Sequence, residues 1–144
     1  MKLVMLTKKD EWCTKAVALA QEKGFLVTHF AGERTDAWPA ELDGIDLKEY
    51  YLISFLSPWI VPARILDGVK LALNVHPAPP KYPGTGCYNF ALYNNNTEYG
   101  ITAHVMLPKV DTGKIVRVRY FPMYDSDTVS SLKERTLENG LLLF

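Results

Sequence analysis

An apolar run, a capped helix and a second apolar run open this chain, and together they dictate a parallel sheet. Lys2–Leu6 is short and apolar and reads as a buried strand. Asp10 can N-cap a helix, with Glu11 near its positive end. Cys13, Ala16, Val17 and Ala20 then recur at helical spacing, and Gly24 ends the helix. Phe25–Phe30 is the next strand. A strand–helix–strand start implies a right-handed crossover between parallel neighbours. The intervening turn, Leu6-Thr7-Lys8-Lys9-Asp10, has no glycine, so a dinucleotide pyrophosphate finds no close approach to the backbone there.

The pattern continues. Ala31–Glu49 is polar and broken by Gly32, Pro39 and Gly44, which predicts a loop with at most a short helix. Trp38 in it is a core plug or a stacking surface. Tyr51–Leu56 is a third strand. Ser57-Pro58-Trp59-Ile60-Val61-Pro62 leads into a helix ending at Gly68, and Val69–Leu73 is a fourth strand. Tyr88–Leu92 reads as a helix and Asn94-Asn95-Asn96 as a turn-rich connector. Gly100–Leu107 and Lys114–Tyr120 alternate as antiparallel strands, with Asp111 between them. Asp125, Ser126 and Asp127 offer caps for a last helix that turns Val129, Leu132 and Thr136 or Leu137 inward, with Gly140 as its stop. The chain ends Leu141-Leu142-Leu143-Phe144, an apolar terminus that must cover the sheet or a partner, the second case giving a homodimer.

A chain of 144 residues is expected to form one domain, and 48% hydrophobic content supports a core. The 16 basic and 16 acidic residues balance, and no basic stripe stands out, which gives a nucleic-acid partner no electrostatic support. No signal peptide or membrane-spanning run is visible, so no membrane partner is expected. Two cysteines, Cys13 and Cys87, fit a reducing cytoplasm, and packing accounts for both better than catalysis.

Chemistry concentrates in Asn74-Val75-His76-Pro77, Pro83-Gly84 and Val110-Asp111-Thr112-Gly113. An amine attacking an acyl carbon builds a tetrahedral intermediate with a negative oxygen. It needs a donor aimed at that oxygen and a group to take the amine's proton. An Asn amide donates, a His donates or shuttles, and an Asp orients or charges the His. Asn74 and His76 are two apart, so on an extended chain they share one face. Asp111 reaches them only through the fold. Singly, each motif has an ordinary structural explanation: a strand-end histidine is often a satisfied polar group, and Asp-Thr-Gly is a turn signal.

Taken jointly, residues 71–116 resemble the core of the folate-dependent formyltransferases. The matching features are Asn74-Val75-His76, Ala78, Pro80, Gly84, the segment Cys87–Tyr93, Gly100-Ile101-Thr102, His104-Val105, Asp111-Thr112-Gly113 and Ile115. The likeness covers residues 50–137 well and the opening more generally. Pro77-Ala78-Pro79-Pro80 stands where the family usually has Ser-Leu-Leu-Pro, which removes a hydroxyl and stiffens the loop. The stretch 31–49 is shorter than relatives carry.

The resemblance implies an α/β domain: a reduced Rossmann-like formyltransferase fold, mostly parallel, with antiparallel strands toward the C-terminus. It implies 10-formyltetrahydrofolate as donor and Asn74, His76 and Asp111 as catalytic trio. Ser57, Pro58, Trp59, Ile60, Val61 and Val110 would contact the folate, with Trp59 otherwise a cover on the sheet edge. Pro80, Tyr82 and Gly84 would frame the acceptor. His104 reads as a strand histidine with a supporting role open to it. No metal is required, since no second His or Cys stands at ligand spacing to His76. The expected acceptor is a small primary amine, with nucleotide-linked amino sugars first. Glycinamide ribonucleotide is second, because the phosphate-binding glycines of that branch are missing from the first turn. Water as acceptor, or a non-catalytic domain binding folate or a partner, are the other readings. The family's tRNA-directed members carry a further C-terminal domain and a basic surface, which sets tRNA aside as an expectation.

Overall fold

In chain order the elements are β1 (Lys2–Lys8), α1 (Glu11–Glu22), β2 (Leu26–Gly32), β3 (Tyr50–Phe55), α2 (Ala63–Leu66), β4 (Leu71–His76), α3 (Cys87–Tyr93), β5 (Glu98–Val105), β6 (Ile115–Pro122) and α4 (Val129–Leu141), with a 3-10 turn at Ala40–Gly44. This is a computed structural model, and it describes residues 1–108 and 113–144. The strands form one sheet in the order β2-β1-β3-β4-β5-β6. β2, β1, β3 and β4 run parallel, while β5 and β6 add antiparallel edges.

The opening unit forms as its sequence predicts. The Asp10 side chain accepts from the Cys13 N–H at 2.8 Å, and after the last turn Gly24 takes φ +86°. α1 and α4 cover one face of the sheet over Leu3, Met5, Phe55, Val75 and Ile101. Burial there pushes the Cys13 thiol up to about 12, which makes it an inert packing residue. On the opposite face Val4, Leu6, Leu52 and Ala72 meet Leu42 of the 3-10 turn, Val61 and Ile65. Each large side chain buried in these layers is worth about 1.5–3 kcal/mol relative to exposure.

Several expected boundaries move. The helix expected to end at Gly68 is only the four residues of α2, with Pro62 as its N-cap. β4 starts at Leu71 and runs through His76, so Asn74 and His76 lie inside the strand rather than after it. Pairing holds them extended: β3 partners β4 through Val75, and β5 partners it through His76. Gly140 does not stop the last helix but lies within it. A Cβ there would sit 2.8 Å from Ile101 Cδ1 and 3.3 Å from Phe55 Cε2, so the glycine lets α4 close onto the sheet. The cap is Thr128, whose hydroxyl accepts from Ser131 N–H while the Ser131 hydroxyl accepts from Thr128 N–H. Asp127 instead takes two hydrogen bonds from Arg135, at 2.8 and 2.9 Å, and that guanidinium holds its carboxyl far below the usual range. The apolar terminus covers its own sheet: Leu141, Leu143 and Phe144 pack on the first core, and Phe144 meets Phe55 edge-on at 5.6 Å.

Candidate active site

β4 carries Asn74 and His76 on the face away from α1 and α4. The antiparallel register sets His104 of β5 opposite Asn74, and Thr102 opposite His76. Four polar side chains thus meet at the C-terminal end of the parallel strands, where open α/β sheets bind ligands. A bulge between Ala103 and His104 shifts the pairing with β6 at the same place. Such bulges re-aim side chains beside active sites.

His104 holds Asn74. Its Nδ1 faces the Val105 carbonyl at 3.1 Å and therefore carries the proton. Nε2 then accepts from Asn74 Nδ2 at 3.3 Å. This aims the Asn74 amide and leaves its second N–H to donate elsewhere. His76 is held separately: its Nε2 lies 2.9 Å from the Tyr82 carbonyl and 3.9 Å from Cys87 Sγ. Thr102 Oγ1 donates to the Ala78 carbonyl at 2.7 Å and ties the Pro-rich loop to the sheet. Gly100 sits tight against β6, where a Cβ would stand 3.1 Å from both the Arg119 carbonyl oxygen and Tyr120 Cδ1.

Two cavities flank His104. One, of about 110 Å³, is lined by His76, Pro80, Pro83, Thr102, His104, Gly113 and Ile115. The other is a slot of about 40 Å³ lined by Ile60, Val61, Asn74, His104, Met106, Leu107 and Pro108. A wide open cleft of about 650 Å³ lies on the far side of Pro80, between Lys81, Asn95, Thr97, Glu98 and Tyr120.

The residues singled out in the sequence therefore separate into groups. Asn74 and His76 come together, and Pro80 lines both the small cavity and the wide cleft. Ile60 and Val61 wall the slot. Ser57 accepts the Trp59 N–H at 3.2 Å and shapes the turn that carries them, with Pro58 between the two. Leu56, at φ +56°, swings the chain out of β3 into this segment, an unusual backbone for a side chain of its size. Trp59 points behind the wall. Its ring lies over Gly32, where a Cβ would stand 2.2 Å away; it meets Trp38 edge-on at 6.3 Å, and its N–H donates to the Asp36 carbonyl. Tyr82 and Gly84 form the loop beside His76, with Gly84 at φ +81°. Val110 and Asp111 lie outside the described residues. Gly113, just beyond, runs so close to β5 that a Cβ would overlap the Val105 carbonyl at 1.6 Å. His104 and Thr102 have a larger place than the sequence reading gave them. Their signal was the period-two spacing in β5, matched to the same spacing in Asn74 and His76. Among the described residues no group of His, Cys, Asp and Glu could hold a metal ion, and no helix is long and apolar enough to cross a membrane.

A family model described as Formyl transferase matches residues 3–143. Methionyl-tRNA formyltransferase of Streptococcus pyogenes serotype M28 is 29% identical over 129 residues, 89% of this chain and 41% of that protein. The same enzyme of Streptococcus thermophilus is 34% identical over 86 residues, 58% of this chain and 28% of that one. The chain thus spans about two fifths of the length of the first of these relatives. Among solved structures, an N-formyltransferase from Helicobacter canadensis, in complex with folinic acid and dTDP-3-aminofucose, superposes with a TM-score of 0.79 at 22% identity. That match covers 99% of this chain and 61% of that one. Phosphoribosylglycinamide formyltransferase from Streptococcus pneumoniae gives 0.69 at 20% identity, over 99% and 93% of the two chains. These likenesses show a shared α/β fold with a mostly parallel sheet.

Proposed function

Because the chain belongs to the formyl transferase family, we propose that it moves a formyl group from 10-formyltetrahydrofolate onto a small primary amine. The observation that carries this is the pairing of Asn74 and His76 on one face at the end of β4, beside cavities that meet at His104. The amine nitrogen attacks the formyl carbon, and the new C–N bond forms as the carbonyl oxygen takes the negative charge. Asn74 donates to that oxygen, and His76 joins it through Nδ1 once its ring is charged. Asp111, by family resemblance, keeps His76 charged or oriented and helps remove the amine proton through water. The bond from carbon to N10 of the folate then breaks, and the proton lost by the amine ends on N10.

We assign the slot to the flat ring of the donor, and at about 40 Å³ it must widen to admit one. Ile60, Val61, Met106 and Leu107 give apolar walls. It is narrow, and Ile60 and Leu107 at its lips are exposed and able to swing aside. Trp59 braces the segment from behind. Ile60→Ala should leave stability unchanged, because the side chain is 76% exposed. It should weaken tetrahydrofolate binding about 5- to 30-fold, the scale of losing part of an apolar contact. Calorimetric titration with unchanged affinity would take Ile60 out of the folate site.

The acceptor enters over Pro80, where the wide cleft adjoins the His76 cavity. That cleft leaves room for an amine on a larger carrier, and a nucleotide-linked amino sugar is the acceptor we place first. Balanced charge supports a small molecule over tRNA. A reduced-folate donor and two thiols not bridged to each other are what supports a cytoplasmic setting. The test follows tetrahydrofolate release from 10-formyltetrahydrofolate with a panel of amino sugars, glycinamide ribonucleotide and methionyl-tRNA. Release that depends on an added amine, with formylated amine recovered, is the expected result. Release without any amine would make the protein a hydrolase, and no release with any acceptor would overturn the proposal.

A further inference from the structure

The Asn94-Asn95-Asn96 connector lies outside the cavities that flank His104, yet two of its side chains end on one atom of the loop that holds His76. Asn94 Nδ2 donates to the Tyr82 phenol oxygen at 3.0 Å, and Asn96 Nδ2 donates to the same oxygen at 2.7 Å. Asn95 between them takes φ +50°, a turn an asparagine tolerates, and this brings both neighbours to the same acceptor. The Tyr82 ring stacks on Tyr99 at 6.4 Å between centroids and 25° between planes. At the other end of the residue, the Tyr82 carbonyl receives His76 Nε2 at 2.9 Å and Cys87 Sγ at 3.2 Å.

A carbonyl oxygen only accepts, so His76 Nε2 carries a proton, and in the neutral ring Nδ1 is the basic nitrogen. The Cys87 thiol donates toward the Tyr82 and Gly84 carbonyls, and its sulfur lies 3.9 Å from His76 Nε2, a longer contact than the 2.9 Å one to the Tyr82 carbonyl. We propose that Tyr82 is a positioning residue that sets the tautomer and orientation of His76, and that Asn94 and Asn96 fix Tyr82 from the side of the wide cleft, which Asn96 also lines. The connector is thus part of the catalytic frame. The two amides also lower the Tyr82 phenol from its ordinary value, Asn94 most, as expected of donors aimed at its oxygen. The inference rests on the reading of His76 as the group that handles charge and proton.

Tyr82→Phe keeps the ring, the stacking and the backbone carbonyl, and removes only the oxygen the asparagines hold. In Tyr82→Phe and in the Asn94→Ala/Asn96→Ala double variant, turnover should fall about 5- to 30-fold with KM for the folate donor nearly unchanged, the scale of a small displacement of a catalytic group. Combining Tyr82→Phe with the asparagine changes should add little, since they act as one unit. Independently of activity, ¹⁵N NMR of the His76 ring should show protonated Nε2 in the wild-type protein and a mixture of tautomers in the variants. Wild-type turnover together with an unchanged His76 spectrum in Tyr82→Phe would overturn the inference. If the spectrum changes as expected while His76→Ala retains full activity, the positioning stands and the formyl-transfer reading fails.

Discussion

His76→Ala and Asp111→Ala should each lower formyl transfer about 10²–10⁴-fold, the range for losing an acid–base or oxyanion group. The double variant should be little worse than either single, because members of one catalytic unit do not contribute additively. Asn74→Ala should reduce turnover while leaving folate affinity nearly intact, since its amide matters most when the oxygen is charged. Its partner His104 makes the contrast sharper. His104→Ala leaves the Asn74 amide present but unaimed, so it should cost turnover through Asn74, with little further loss in the Asn74→Ala background. Single-turnover rates on correctly folded protein decide this. Near-normal rates in the His76 and Asp111 variants would make Asn-Val-His and Asp-Thr-Gly structural motifs only.

The sheet and the pairing of the key side chains were legible because they rest on short-range patterns. Asp10 and Gly24 bracket α1, and the spacing of two in Asn74-Val75-His76 survives in the strand. What the sequence hid depends on distant partners. Gly140 reads locally as a helix stop, yet the nearness of Ile101 and Phe55 makes it a contact residue within α4. Asp127 reads as a cap, but Arg135, about two helical turns on, claims its carboxylate. Trp59 is read from the resemblance as a folate contact, and the bare Cα of Gly32, far away in sequence, leaves the room in which its ring meets Trp38. The grip on His76 comes from a backbone carbonyl, a group every residue has, so no residue type in the sequence could announce it. His104 was readable in principle, since residues 102 and 104 repeat the alternation of 74 and 76. The antiparallel register that sets them opposite one another was not.

Tyr99 joins stability to the site, and its replacement should have the largest effect on folding. It is fully buried in β5. Its ring meets Tyr82, Tyr88 and Phe121 with centroids 6.4, 5.5 and 6.0 Å away. Its hydroxyl donates to the Pro77 carbonyl at 3.1 Å, directly after the Asn-Val-His segment. Burial pushes its phenol well above the ordinary tyrosine value, so it stays a neutral donor. Tyr99→Ala should lose about 3–5 kcal/mol of stability, the scale for emptying an aromatic site in a core. Tyr99→Phe keeps the ring and loses only the hydrogen bond, about 0.5–1.5 kcal/mol. Denaturant melts of the two variants separate packing from the hydroxyl. The smaller change is also the sharper probe of the site. The hydroxyl anchors the start of the loop that ends on His76, so Tyr99→Phe should lower turnover more than its modest stability loss suggests. A Tyr99→Phe protein with wild-type turnover would confine Tyr99 to the core and leave Thr102 and Tyr82 as the anchors of that loop.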